Sequence, residues 1–369
     1  MNRLHILTMT EKCGYLHSKY IGNVKTGRNA LTFSRIYIII EANIEHGGHS
    51  MQDTFNQKIS GFVDTLLQDY QGDRTIDAVI AFDQPNKEIV IDILQKLRKL
   101  IFPGYFRAHS YRVYTMRNQT TMLLEDVIFN LNRQIAIVLE YIPELKEAGK
   151  EAIAKRAEEI TFAFIEKIPQ IRAYVETDVQ ATFDGDPAAY NKDEIIYSYP
   201  GLLAIVTNRI AHELHLLGVP LIPRIMTEYA HSMTGIDIHP GATLGYYFFI
   251  DHGTGIVIGE TTEIGDNVKV YQGVTLGALS TRGGQSLKSK KRHPTICDNV
   301  TIYSGASILG GDTVIGKGAV IGANAFITRS IPEGAKVSIK NQELRYHYDS
   351  KTLAPATDLD TDDSWYYII

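Results

Sequence analysis

The chain has 369 residues, 44% of them apolar and 21% charged, the composition of a soluble globular protein of two or three domains. Thirty-seven Lys and Arg against 42 Asp and Glu leave a net charge of −5, which argues against a general nucleic-acid coat and a polybasic membrane binder. Two cysteines, Cys13 and Cys297, make no disulfide framework, and no apolar stretch nears the ~20 residues that span a bilayer, so the expected location is cytoplasmic.

Residues 1–50 hold six Lys and Arg, three acidic residues and four histidines, with no sustained apolar period. A basic leader is one reading. Glu11 and the scattered aromatics favour the other, a poorly ordered extension that does not pack on a chain starting in earnest at Met51.

Residues 51–235 are predicted to be a helical domain. Phe55, Ile59, Phe62, Val63, Leu66, Leu67 and Tyr70 recur at spacings of three and four, the mark of one helix face. Ile89, Ile93, Leu97, Leu100 and Ile101 form a second stripe ended by Pro103, and Leu124 to Ile142 a third. The pattern continues from Ala152 to Ile168 and from Pro169 to Thr182. Pro200 opens another helix, stopped by Gly218, and Pro220 restarts one that runs to Gly235. These stripes read as helix–helix core, and His231 as helix surface.

At Ile236 the pattern changes. Ile258, Ile264, Val270 and Leu276 recur every six residues, and so do Cys297, Tyr303, Leu309, Ile315, Ile321 and Ile327 after an interruption. Small or β-branched residues follow each by four, from Thr262 and Val268 to Ala319, Ala325 and Ile331. Ten hexapeptides in phase predict a parallel β-helix over residues 236–340, three units to a triangular coil. The first residue of each unit, Cys297 included, is expected to point inward. Residues 341–369 form an acidic tail.

The interruption, Thr281 to Pro294, carries five Lys and Arg and no acid. Without an apolar repeat it leaves the coil as a loop. A solvated basic loop is the default; a phosphate-bearing partner such as coenzyme A is the sharper alternative. Upstream stand Asp237-Ile238-His239-Pro240 and Asp251-His252-Gly253-Thr254-Gly255. A histidine is the natural base near neutral pH, and a carboxylate beside it fixes its tautomer. Asp237 and His252, fifteen apart, are expected to meet across adjacent coils. Turn filling ranks second, and a metal site using Asp237, His239, Asp251, His252 and His293 third, because zinc-ligand spacing is missing.

Taken together, the Asp-Ile-His-Pro and Asp-His-Gly-Thr-Gly-Ile-Val-Ile-Gly-Glu-Thr segments, the Arg-His-Pro after the basic loop and the hexapeptides resemble the serine O-acetyltransferase family. The resemblance covers roughly Ala152 to Pro332, most strongly Gly235 to Leu309. It implies an α+β chain, a helical N-terminal domain followed by a left-handed parallel β-helix. It also implies transfer of acetyl from acetyl-CoA to L-serine in cysteine biosynthesis, by direct attack. His252 would be the general base, supported by Asp237, with His293 in the same pocket. Asp186 and Asp251 would hold the serine ammonium, Arg292 its carboxylate, and the backbone near Ala278 and Ser304 the pantetheine arm.

No permanent cofactor and no metal are implied. The implied assembly is a homotrimer or dimer of trimers, with the catalytic residues of a chain at one corner of the coil. Ile369 would insert into O-acetylserine sulfhydrylase. Nucleic acid and membrane are not implied partners. The competing readings are acyl transfer to another hydroxyl, of homoserine or a sugar, and a non-catalytic β-helix scaffold. Asp186 and Arg292 favour a zwitterionic acceptor, and a paired base has no use in a scaffold.

Overall fold

The computed structural model describes residues 48–72, 74, 76, 77, 84–106 and 115–339. The expected extension, but for residues 48–50, and the expected tail with Ile369 lie outside the described residues. The chain divides into two units, Met1–Ala81 and Phe82–Ile369.

In the first unit, helix α1 (Gly48–Asp69) begins three residues ahead of Met51. Its apolar stripe was expected in a helix–helix core, yet Phe55 and Phe62 are 64% and 68% exposed, and the rest of the stripe is exposed as well. One amphipathic helix has no second layer of its own to bury a face.

The second unit opens with a layer of helices. Helix α2 (Lys87–Ile101) starts where the Asn86 side chain accepts the Ile89 N–H at 3.0 Å, satisfying one of the free donors of a first turn. Val90, Ile93, Leu94 and Leu97 are its buried stripe. Helices α3 (Met116–Leu139), α4 (Pro143–Ala148), α5 (Lys150–Ile165), α6 (Ile168–Gly185) and α7 (Lys192–Ser198) follow. Helix α8 (Pro200–Leu216) works on two sides: Leu202, Val206 and Ile210 join the helical core, while Ala204 and Ile205 close the end of the β-helix core. Gly201 makes this approach close, because a Cβ there would lie 2.7 Å from the Ile250 carbonyl oxygen. Helix α9 (Ile222–Thr234) stops at Gly235, whose φ of 70° is left-handed.

Among the described residues, fourteen short strands then wind a parallel β-helix with three faces. The first face stacks β1 (Asp237–Ile238), β4 (Val257–Ile258), β7 (Thr275–Gly277), β10 (Ser307–Leu309) and β13 (Phe326–Ile327). The second stacks β2 (Thr243–Leu244), β5 (Glu263–Ile264), β8 (Thr295–Ile296) and β11 (Val314–Ile315). The third stacks β3 (Phe249–Asp251), β6 (Lys269–Tyr271), β9 (Thr301–Ile302), β12 (Val320–Ile321) and β14 (Lys336–Val337). Ile258, Ile264, Val270 and Leu276 point inward as the hexapeptides require, and each such burial contributes about 1.5–3 kcal/mol.

Two departures from strict six-residue phase matter. Asp237 pairs with Val257, and Val257 with Thr275, so the first coil is two residues longer than the second. The extra residues fall at the corner that carries His252. Beyond the basic loop the inward residues are Ile296, Ile302 and Ile308, one position ahead of the expected Cys297, Tyr303 and Leu309. The expected phase returns at Ile315 because one residue is inserted at Gly310, whose φ is 107°. Cys297 is therefore half-buried at a corner rather than inside the coil.

Candidate active site

Three sequence-predicted residues gather where the third face turns into the first. Strand β3 ends at Asp251, and His252 follows with a φ of 55°. That left-handed conformation costs a non-glycine residue energy and is common where function requires it. The imidazole stands out of the coil, 57% exposed, with Nδ1 3.7 Å from Asp251 Oδ1.

Asp186 reaches the same place from the end of α6. Its Oδ1 accepts the Ala188 N–H at 2.8 Å and its Oδ2 the Tyr199 hydroxyl at 2.6 Å. Burial pushes the Tyr199 phenol up, and the charges of Asp186 and Asp251 add to the shift. Tyr271, in register with Asp251, is shifted up by burial and by the same two carboxylates. Two carboxylates thus share one small region, and the side chains that line it are neutral phenols. That arrangement calls for a cation such as an ammonium group. Sequence reasoning missed Tyr199 and Tyr271, which belong to none of the site motifs read there.

Arg292 and His293 stand at a different corner, where the first face turns into the second and the basic loop departs. The Thr261 hydroxyl accepts the N–H groups of Arg292 and His293 at 3.0 and 3.1 Å. The Thr261 N–H donates to His293 Nδ1 at 3.0 Å, which leaves the ring proton on Nε2. Burial, with Arg292 next to it, holds the His293 pKa down at about 4. Its ring lies over Gly259, where any Cβ would overlap it. Arg292 pairs with Glu260, and His239 stands nearby with its pKa lowered to about 4, chiefly by burial. Thr261 and Glu260 were not anticipated from the sequence.

The expected single catalytic corner is therefore two corners, separated by the width of the first face. The physical reason is the coil itself: from His252 to Arg292 the chain runs through β4, β5, β6 and β7, one full coil and the first face again, and then the loop. Ala278 lies at the Arg292 corner. Ser304 lies at the His252 corner, its carbonyl accepting the Asn324 N–H at 2.8 Å.

Asp237 is not joined to His252 by any hydrogen bond or ion pair among the described residues. Its peptide N–H donates to Ile256 O at 2.9 Å, just past the His252 corner, while its carboxylate faces Arg224 at 3.8 Å. Glu228, His231 and Asp237 have donor atoms within 4.8 Å of one another, but Arg224 pairs with both carboxylates and supplies the positive charge there.

No family model matches the chain. A plasmid serine acetyltransferase of Synechococcus elongatus is 45% identical over 260 residues, covering 69% of this chain and 81% of that protein. The chain belongs to the serine acetyltransferase family. The serine acetyltransferase of Bacillus subtilis is 49% identical over 128 residues, 35% of this chain and 56% of that protein. Serine acetyltransferase isoform 3 of Entamoeba histolytica, solved in complex with cysteine, superposes with a TM-score of 0.60 at 36% identity, covering 78% of this chain and 93% of that one. Serine acetyltransferase 1 of the same organism, with L-cysteine, gives 0.59 at 36% identity, over 78% of this chain and all of that one.

Proposed function

We propose that the chain transfers the acetyl group of acetyl-CoA to the hydroxyl of L-serine, giving O-acetyl-L-serine, with His252 as general base. The observation that carries this is the exposed His252 imidazole beside the Asp186–Asp251 pair. Asp251 lies on the Nδ1 side and favours a proton there, leaving Nε2 free to accept one. His252 takes the serine hydroxyl proton as the oxygen attacks the thioester carbonyl carbon. The tetrahedral adduct collapses, the carbon–sulfur bond breaks, and the imidazolium returns the proton to the CoA thiolate. Cys297 lies at the third corner, so no acyl-enzyme is invoked. Acetyl-CoA is a co-substrate and not a resident cofactor.

Asp186 and Asp251 hold the serine ammonium, and Arg292 its carboxylate through a guanidinium fork, with His293 lining the pocket. The Entamoeba histolytica enzymes hold cysteine, a zwitterion carrying the same ammonium and carboxylate as serine. Asp237 supports the His252 corner through its strand. Because the two halves stand at different corners of one chain, the site is completed by a neighbouring copy in a homotrimer, and the helical part joins trimers. The pantetheine arm runs between copies past Ala278 and Ser304. Ile369 is the anchor toward O-acetylserine sulfhydrylase, its carboxylate taken by backbone donors and its side chain by an apolar pocket. The place of action is the cytoplasm; among the described residues no helix is long and apolar enough to cross a membrane.

Release of free CoA thiol from acetyl-CoA tests this, with L-serine, homoserine and a neutral sugar as acceptors. The reading predicts turnover with serine far above the other two. Equal turnover with the sugar would contradict the roles of Asp186 and Arg292.

A further inference from the structure

Thr261 stands between β4 and β5, and all three of its polar groups face the residues on which the basic loop returns to the coil. Its carbonyl accepts Lys291 Nζ at 2.6 Å. Its hydroxyl oxygen accepts the peptide N–H of Arg292 at 3.0 Å and of His293 at 3.1 Å, and lies 2.9 Å from His293 Nδ1. Its own N–H donates to that Nδ1 at 3.0 Å. A peptide N–H only donates, so Nδ1 accepts, and the hydroxyl proton points to the same lone pair. The side-chain atoms sealed without a partner among the described residues are Arg98 Nε, Thr262 Oγ1 and Gln272 Oε1, so the unpartnered Nε2–H of His293 is open to solvent. The Arg292 guanidinium gives at most three of its five N–H groups to Glu260 and to the carbonyls of Leu287 and Lys290.

We infer that Thr261 is a positioning residue that sets the preference for a carboxylate-bearing acceptor, by holding Arg292 and His293 in place as donors. The inference rests on the serine reading of the site. Arg292 and His293 end a loop, where peptide N–H groups have no ladder and need acceptors. One hydroxyl oxygen serves both, so the side chains of two consecutive residues start from backbone tied to a single atom. Thr262, the next residue, is turned into the coil and 3% exposed or less; of the pair, Thr261 alone serves the loop. A carboxylate has two acceptor oxygens for a charged donor and a neutral one. The neutral amide of the same acceptor has one oxygen, and its NH₂ meets donors.

CoA release by the full chain with L-serine and with L-serinamide tests this. The parent prefers serine, and Arg292→Gln loses the preference. Thr261→Val keeps the shape and removes the hydroxyl. Its kcat/KM for serine falls about tenfold or more, chiefly through KM, that for serinamide falls much less, and KM for acetyl-CoA stays. Thr261→Ser restores most of the preference. A residue that only held the fold would lower both acceptors alike. An unchanged preference in Thr261→Val, equal losses with the two acceptors, or no recovery in Thr261→Ser would overturn the proposal and leave the assignment of Arg292 standing. A parent without preference for serine would overturn the serine reading and this inference with it.

Discussion

Arg209 on α8 grips both carboxylate oxygens of Asp178 on α6, Nη2 to Oδ1 at 2.9 Å and Nε to Oδ2 at 3.0 Å, with 6% and 0% of the two side chains exposed. The same guanidinium donates to the carbonyls of Leu244 and Gly245 at 2.6 Å each, and Phe248 N–H donates to Asp178 Oδ1 at 3.1 Å. This cluster ties the helical layer to the first coil and so sets where Asp186, at the end of α6, stands relative to His252. Removing one partner of a buried pair leaves an uncompensated charge, at a cost of about 3–5 kcal/mol. Arg209→Met is predicted to lower stability by that amount in urea unfolding; unchanged stability would show that the pair is not holding the layers together.

Loss of a general base costs roughly 10²–10⁴ in rate. His252→Ala is predicted to fall within that range in kcat while CoA binding, read by calorimetry, is unchanged. Asp237→Asn, one step removed from the imidazole in this structure, should cost less and still measurably. Near-normal turnover of His252→Ala would remove the base from the mechanism.

Tyr199→Phe deletes the phenol donor at 2.6 Å from Asp186. Hydrogen bonds to charged groups contribute about 1.5–3 kcal/mol, so KM for serine should rise about tenfold or more. KM for acetyl-CoA and the pH profile of kcat should stay as they are. A rise in both KM values would point to a collapsed fold.

His239 and His293 are both held near a pKa of about 4, by burial first, with Arg224 lowering His239 and Arg292 and Lys291 lowering His293 against the opposing charge of Glu260. In the unfolded chain a histidine titrates at about 6.5. Between those values the unfolded state binds protons that the folded state refuses, so stability is full above about pH 6.5 and is lost as pH falls toward 4. His293→Asn keeps an acceptor for the Thr261 N–H and cannot titrate. Its melting temperature should fall less steeply over that window; an identical slope would exclude His293 as a contributor.

The β-helix was legible because Ile258, Ile264, Val270 and Leu276 repeat without interruption, and a hexapeptide period has one structural meaning. The inward register of Ile296, Ile302 and Ile308 was not, because a single inserted residue at Gly310 shifts the phase and leaves a six-residue spacing on either side. His252, Asp251 and Asp186 were readable from their motifs. Their phenol neighbours Tyr199 and Tyr271 were not, since a tyrosine near a proline or on a strand usually packs and nothing more. The separation of His252 from Arg292 was hidden by their common family pattern: spacing along a coil specifies a corner only once every insertion is known, and the two-residue extension before β4 and the loop before β8 both intervene. The stripe of α1 has a core pattern, but a pattern says that a face is apolar and not what covers it.

The central claim is that serine is acetylated at a site which needs the His252 corner of one copy and the Arg292 corner of another. Mixing resolves it. His252→Ala and Arg292→Gln chains, each inactive, are co-unfolded, refolded together in equal amounts and assayed for CoA release with L-serine. Random assembly of shared sites restores about a quarter of parental activity, because one site in four draws both intact corners. Activity no higher than that of the separate variants, in material shown by sedimentation to contain mixed oligomers, would contradict the account.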